Sequence, residues 1–379
     1  MVQTAVATIL GYLITFFLLP LVIRFSSNYN LYDIPDERKT HNHGVSSLGG
    51  IAIFVGLVTS LLLISDFNKS NAELQYFIAA FFIIFSLGVI DDILVLKAWK
   101  KFLGQLLVTA MITLKGNLLI TNLHGFLGVY ELSYLGSVSI SFFSILLLIN
   151  SFNLIDGVDG LAASIGCISC LLFGVFFLIS NAIPYALFAF SMCGVLLAFL
   201  MYNFPPAKIF MGDSGSTLIG LMTAILAIKF IENTSIQSAF ANQATPVIAF
   251  GILLIPLMDV LRVFTLRIYK KQSPLMPDRN HLHHLLQNKG LSHTEVTVTL
   301  LIAQFLFASL TFFIQGINLN IVLLIQFVAY FGLVYVVNRY IPTRKKMHIV
   351  RAESSVDVVD TKIYHIYPAN EKVSVREDS

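Results

Sequence analysis

The stretch "SFFSILLLINSFNLIDGVDGL", Ser141 to Leu161, joins two halves of opposite character. Ser141 to Ile149 carries no charge and reads as a helix inside a membrane, since hydrocarbon accepts such a run. Asn150 to Gly160 then supplies Asn150, Asn153, Asp156 and Asp159 together with two glycines. That is the composition of a chain that leaves the apolar layer and meets something polar. The fold class depends on whether the rest of the chain repeats this alternation.

It does. The 379 residues are 56% hydrophobic and 12% charged, with mean hydropathy +0.81, whereas soluble domains run near ~25% charged. The natural unit is an apolar stretch of roughly 20 residues, enough to cross ~30 Å of hydrocarbon. Eleven such stretches are read, at 3-23, 48-65, 75-90, 102-119, 137-152, 160-180, 184-202, 214-230, 244-262, 294-314 and 320-338. Pro20, Pro184 and Pro256 fall inside them, which a packed bundle tolerates because neighbouring helices satisfy the freed backbone groups. The first run lacks a basic start and a small-residue cleavage site, so it is read as a span rather than a signal peptide. The expected fold is an all-α polytopic membrane protein of about 11 transmembrane helices. One transmembrane domain covers 1-339 and a cytoplasmic tail covers 340-379, in which the alternating "KIYHIYP" suggests a small hairpin.

Basic residues orient the bundle, because cytoplasmic loops collect Lys and Arg. With the amino terminus outside, the outer loops hold Lys69, Lys115 and Lys229. The inner loops hold Arg24, Arg38, Lys39, Lys97, Lys100, Lys101, Lys208, Arg262, Arg267, Lys270, Lys271, Arg279 and Lys289. The amino terminus is therefore expected outside and the carboxyl terminus inside. Cys167, Cys170 and Cys193 all lie in spans; "CISC" is compatible with a metal or redox pair, but small-residue helix packing is the simpler reading.

The polar segments sort to the inner side. They are "DIPDERKTHNHGVSSLGG" from Asp33, "DDILVLKAWKKFLGQ" from Asp91, "NSFNLIDGVDGL", "NFPPAKIFMGDSGS" from Asn203 and "PDRNHLHHLL" from Pro277. The outer loops hold ordinary turn residues, with a short hairpin expected between Asn117 and Ser137. Each of Asp91, Asp92, Asp156, Asp159 and Asp213 alone is most simply a cap or a solvated carboxylate. Gathered at one membrane face they repel one another unless a cation holds them, and an all-oxygen donor set suits Mg²⁺ or Mn²⁺ better than Zn²⁺. Lys39, Lys101, Arg279, His281, His283 and His284 share that face. Metal-binding acids mixed with cationic donors suit phosphoryl transfer, in which charge spreads over equatorial oxygens. A zinc site at "HLHH" is the alternative, weakened by Asp278 and Arg279 beside it. "FMGDSGS" leads straight into an apolar span, so helix amides there are placed to face an anion.

These motifs, in this order and topology, resemble the signatures of the polyprenyl-phosphate N-acetylhexosamine-1-phosphate transferase family over about residues 33 to 340. The resemblance implies transfer of a sugar 1-phosphate from a UDP-N-acetylhexosamine to undecaprenyl or another polyprenyl phosphate, with release of UMP and dependence on Mg²⁺ or Mn²⁺. It implies a bacterial inner-membrane enzyme in the lipid bilayer, working on its cytoplasmic face and feeding a cell-surface polysaccharide. A homodimer is a family expectation; no nucleic acid is expected as a partner. Asp91 and Asp92 match the family's paired aspartates, and Asn153 and Asp213 match positions holding metal and diphosphate. Asp159 and Phe210 match uridine-recognition positions, with Asn150 and Asp156 in the same substrate-lining motif. Lys101 matches a lysine facing the lipid phosphate, and Lys39 a basic position in the first loop. Arg279, His281, His283 and His284 match the phosphate- and sugar-binding loop. Leu282 interrupts the three consecutive His of the peptidoglycan branch, which favours the branch that uses UDP-GlcNAc or a related sugar.

A phosphate monoester has its second pKa near ~6, so the attacking lipid phosphate is already largely ionised at neutral pH. A base at Asp91 is then unnecessary, and direct attack is preferred to an aspartyl-phosphate intermediate. A secondary transporter and an inactive scaffold are the competing readings. Transporters favour midplane acids and inverted repeats, whereas here only Asp259 lies well inside a span. It is read as pairing with Arg262 or capping its helix.

Overall fold

A computed structural model describes residues 1–29, 31, 45–64, 73–233, 244–271, 280–343, 347–351 and 364–368. Lys39 and Arg279 lie outside the described residues. In chain order the elements are α1 (Val2–Asn28), α2 (Gly49–Ile64), α3 (Glu73–Leu94), α4 (Ala98–Leu114), β1 (Asn122–Phe126), β2 (Val129–Glu131), α5 (Tyr134–Ile155), α6 (Leu161–Ile179), α7 (Ile183–Asn203), α8 (Gly212–Glu232), α9 (Ala244–Ile252), α10 (Leu254–Tyr269), α11 (Leu282–Asn288), α12 (His293–Ile314), α13 (Leu319–Arg339), β3 (Met347–Arg351) and β4 (Tyr364–Pro368).

All eleven apolar runs are helical. Among the described residues eight helices (α1, α3, α5, α6, α7, α8, α12 and α13) are long and apolar enough to cross a bilayer, and the bent pair α9–α10 makes a ninth if it counts as one span. The other two runs are shorter. Helix α2 is apolar over 16 residues, while α4 runs for 17 and carries Lys100 and Lys101 in its first turn. The structure therefore supports a polytopic helical bundle and a smaller set of full-length crossings than eleven.

Helix α8 is the centre. Its most apolar stretch is 89% buried, against 22% for α13, and it packs on α2, α3, α5 and α6. Helix α1 lies along α7 and α2, and Phe17, Leu21, Phe313, Leu324 and Val328 remain exposed on the outer helices, as lipid-facing side chains do. The cysteines are free and buried; Cys167 Sγ and Cys193 Sγ sit 3.6 Å apart across α6 and α7.

The 79° bend between α9 and α10 has a definable cause. Pro256 has no N–H to give the Ile252 carbonyl, so that helical bond cannot form. Gln304 of α12 enters the gap. Its Nε2 donates to the carbonyls of Gly251 (3.0 Å) and Ile252 (2.6 Å), and its Oε1 accepts from Ile255 N–H (3.0 Å). The hairpin expected between Asn117 and Ser137 forms as β1–β2, antiparallel, and β3–β4 pair in the tail.

Candidate active site

The site begins with the way α8 starts. Gly212 takes φ +70°, and a Cβ there would lie 2.2 Å from the Ser47 carbonyl oxygen and 2.6 Å from Asp92 Oδ2, so no other residue fits. The turn lets Asp92, in the last turn of α3, accept three hydrogen bonds at the start of α8. They come from Asp213 N–H (2.7 Å), Ser214 N–H (3.1 Å) and the Ser214 hydroxyl (2.7 Å). A carboxylate at a helix amino terminus complements both the free amides and the helix dipole. Asp92 is thus an anchor for α8, with both oxygens engaged.

Asp213, held in this way, carries the centre of the cluster. Its Oδ2 pairs with Lys101 Nζ at 2.8 Å, and its Oδ1 accepts from Asn153 Nδ2 at 2.9 Å. Asn153 also donates to Ser216 Oγ at 3.1 Å. Lys101 pairs in addition with Asp91, whose other oxygen accepts Leu96 N–H at 2.6 Å. Five of the residues expected from sequence, on α3, α4, α5 and α8, therefore form one connected network. It opens into a cleft of about 280 Å³. Leu87, Phe102, Leu154 and Phe264 supply apolar wall, and Asn150, Gln105 and Arg267 add polar groups. Asn150 donates to Gln105 Oε1 at 3.0 Å.

Asp156 caps the end of α5 and meets no hydrogen-bond donor among the described residues. Its own surface is only partly covered, yet the protein around it is the largest influence on its carboxyl, followed by the charges of Asp213, Asp92 and Asp159. Together they raise its pKa well above the ordinary range. Asp159 is buried. Its carboxylate accepts from Ala207 N–H (3.2 Å) and pairs with His293 Nδ1 (3.1 Å), and its carbonyl accepts from Thr297 Oγ1 (2.9 Å). It staples the "DGVDG" loop to the segment before Phe210 and to α12. Phe210 is bound through its backbone, donating to Ser46 O (2.7 Å) and accepting from Gly49 N–H (3.0 Å), with its side chain half-buried.

The histidines form a second group beside the same loop. His281 and His283 are 2% and 1% exposed, with rings parallel within 8° and centroids 5.8 Å apart. His284 lies against His283 and reaches Gln287 Oε1 at 3.2 Å. A Cβ on Gly157 would come within 2.8 Å of His283 Nε2, so glycine is what lets the loop approach. Burial, and then the neighbouring His284, push His283 down to about 3, leaving it neutral. The Nε2 atoms of His281 and His283 are both buried and meet no partner among the described residues.

Among the described residues no three acidic, imidazole or thiol groups converge on a ready-made metal cage. The donor set nevertheless fits Mg²⁺, which binds through one or two carboxylates and takes its remaining oxygens from water and substrate phosphates. Asp213, the Asn153 carbonyl and the mutually repelling Asp156 provide such a partial set.

Four participants escaped the sequence reading. Gln105 and Ser214 lie in the quoted motifs but as residues with no assigned task. His293 and Tyr330 stand where nothing local marks them, since their partners Asp159 and Asp259 are far away in the chain.

Residues 74–231, from α3 to α8, match glycosyl transferase family 4. A probable undecaprenyl-phosphate N-acetylglucosaminyl 1-phosphate transferase of Bacillus subtilis is 31% identical over 329 residues, covering 86% of this chain and 89% of that protein. The chain belongs to glycosyl transferase family 4. Two further relatives widen the comparison. The undecaprenyl-phosphate alpha-N-acetylglucosaminyl 1-phosphate transferase of Escherichia coli K12 is 29% identical, covering 76% of this chain and 77% of its own. The decaprenyl-phosphate N-acetylglucosaminephosphotransferase of Mycolicibacterium smegmatis is 32% identical, covering 76% and 75%. The resemblance drawn from the motifs is thus borne out, and the stretch matched to family 4 contains the whole Asp91–Lys101–Asp213–Asn153 network.

Proposed function

We propose that this chain transfers N-acetylglucosamine 1-phosphate from UDP-N-acetylglucosamine to undecaprenyl phosphate, releasing UMP, at the cytoplasmic face of a bacterial inner membrane. One observation carries the reading. Lys101 stands between Asp91 and Asp213 in the lining of a cleft walled by Leu87, Phe102, Leu154 and Phe264. The apolar wall suits an isoprenoid chain and the cation suits its phosphate. The names of the relatives support the acceptor and the sugar, and membership of their family favours a transferase over a transporter. The excess of Lys and Arg at this end of the bundle supports its cytoplasmic orientation.

An oxygen of the ionised lipid phosphate attacks the sugar-bearing phosphorus of the UDP-sugar. The bond from that phosphorus to the bridging oxygen breaks, and UMP leaves with the electron pair. Lys101, one-third exposed, is placed to exchange a carboxylate contact for the incoming phosphate and reduce the repulsion between two anions. Asp91 holds Lys101 while its own second oxygen is fixed by Leu96 N–H, so it positions a cation and need not act as a base. Asn153 orients Asp213, and Asp92 fixes the backbone from which Asp213 projects. Asp159 serves the uridine site through the loop it staples, and Phe210 is assigned to that site on resemblance. The histidine group, with Arg279 and Lys39 assigned on resemblance, receives the donor's phosphate and sugar. A divalent cation held by Asp213 and Asn153 with Asp156 adjacent would neutralise diphosphate charge in the transition state.

The deciding experiment measures UMP release by purified protein in detergent with undecaprenyl phosphate, Mg²⁺ and a panel of UDP-N-acetylhexosamines. Lipid-dependent release from UDP-N-acetylglucosamine, abolished by Asp213→Ala and by chelation, is the expected result. No release from any donor by folded protein would overturn the reading.

A further inference from the structure

Asp259 is a carboxylate 1% exposed, outside the Lys101 network, and four donors converge on it. Arg262 Nη2 (3.0 Å), Leu282 N–H (2.9 Å) and Tyr330 OH (3.3 Å) all reach Oδ1, while His281 Nδ1 reaches Oδ2 at 2.9 Å. Arg262 also donates to the carbonyl of Asn280, next to His281. Helices α10 and α13 thereby grip the start of α11 at a single point.

The arrangement does more than hold a loop. An imidazole whose Nδ1–H is committed to a carboxylate has its proton position and ring plane decided by that partner, and only Nε2 is left for chemistry. His281 Nε2, like His283 Nε2, is buried and meets no partner among the described residues; its ring lies parallel to that of His283, and His283 abuts the loop at Gly157. The free nitrogen thus belongs to the group that faces the "DGVDG" segment. We infer that Asp259 is a positioning residue for the transfer reaction: it sets the tautomer and ring plane of His281, so that Nε2 meets the donor's phosphate or sugar. This rests on the transferase reading above.

The geometry makes the consequence of Asp259→Asn specific. Three donors on Oδ1 keep an oxygen at that position, so the new amide nitrogen takes the place of Oδ2. An NH₂ group then faces His281 Nδ1, which must present a lone pair, and the ring proton moves to Nε2. A role confined to packing would lower stability but would not reverse the tautomer, nor separate kcat from KM.

The test uses full-length protein in detergent with ¹⁵N-labelled histidine, the His281 signals being assigned by their loss in His281→Gln. Wild-type protein is expected to carry a proton on His281 Nδ1, and Asp259→Asn to carry it on Nε2. The variant's kcat for UMP release is expected to fall by roughly 10²-fold, with KM for UDP-N-acetylglucosamine unchanged. A wild-type His281 with bare Nδ1 overturns the inference whether or not the variant folds. So does a folded Asp259→Asn protein that keeps the Nδ1 proton or keeps its kcat. The nitrogen spectra need no substrate, so a protein that releases no UMP at all refutes the transferase reading separately from the proton position.

Discussion

Asp92 and Asp213 are neighbours in the site and have opposite tasks. Asp92 spends both oxygens on the first amides of α8 and the Ser214 hydroxyl, whereas Asp213 directs its oxygens to side chains, Lys101 and Asn153. Removing each should therefore have a different signature. Asp92→Ala leaves two amides and a hydroxyl without their acceptor, each worth roughly 1–3 kcal/mol when unsatisfied, with relieved repulsion from Asp213 and Asp156 offsetting part. The expected outcome is a lower unfolding temperature together with lost turnover, while Asp213→Ala loses turnover and keeps its unfolding temperature. A thiol-reactive dye reads this well, because Cys167, Cys170 and Cys193 are buried until the bundle opens. An Asp92→Ala protein with wild-type stability would remove the anchoring role. His283 gives a pH signature. Its folded pKa is about 3, below the ordinary 6.5 of the unfolded chain, because burial disfavours the charged ring. The unfolded chain binds the proton first, so the contribution is full above about 6.5 and is lost as pH falls toward about 3. Between those limits wild type should lose stability on acidification more steeply than His283→Asn; parallel curves would show that the ring is not buried neutral. The acids were legible in the sequence as a set because they recur in motifs at helix ends. Their division of labour was not, since Asp92's partners lie 121 and 122 positions away and two of the three contacts are to backbone.

The same contrast holds for whole elements. Apolar runs located every helix except the short α11, and Pro256 marked a weakness in the ninth run. Nothing in that run showed that the weakness becomes a 79° break, because the side chain that fills it is Gln304, on another helix. A proline bend without a polar neighbour leaves carbonyls facing hydrocarbon, which is costly. Here the amide of Gln304 satisfies the Gly251 and Ile252 carbonyls and the Ile255 N–H, and the bend becomes a fixed joint that aims Asp259 and Arg267 toward the polar end. Gln304→Leu preserves volume and removes all three bonds. It should cost about 1–3 kcal/mol in detergent and reduce turnover through displacement of α10. A Gln304→Leu protein with unchanged unfolding temperature and rate would show that the joint is set by Pro256 and packing alone.

For the molecule as a whole, alternating helices bring six element ends to one face: α3, α5 and α7 finish where α4, α6 and α8 begin. The opposite face is tied by different chemistry. Lys229 pairs with Glu73 at 2.6 Å, Tyr185 donates to the same Glu73, and Glu232 accepts from Thr121. Lys229, counted from sequence among the outer loops, is instead a helical residue bound to an acid. Its charge is neutralised within the protein, as those of Lys101 and Arg262 are at the other face, so the unequal distribution of cations between the two faces survives the pairing. This sharpens the orientation proposed above into a labelling experiment. Leu127, 77% exposed in the β1–β2 turn, and Tyr269, 86% exposed at the end of α10, mark the two faces. The native cysteines are buried and should stay silent toward a membrane-impermeant maleimide. In intact cells Leu127→Cys should label and Tyr269→Cys should not, with Tyr269→Cys labelling after permeabilisation. The reverse pattern would place the Lys101 network on the outer face, away from cytoplasmic nucleotide sugars, and would defeat the proposed donor along with the orientation.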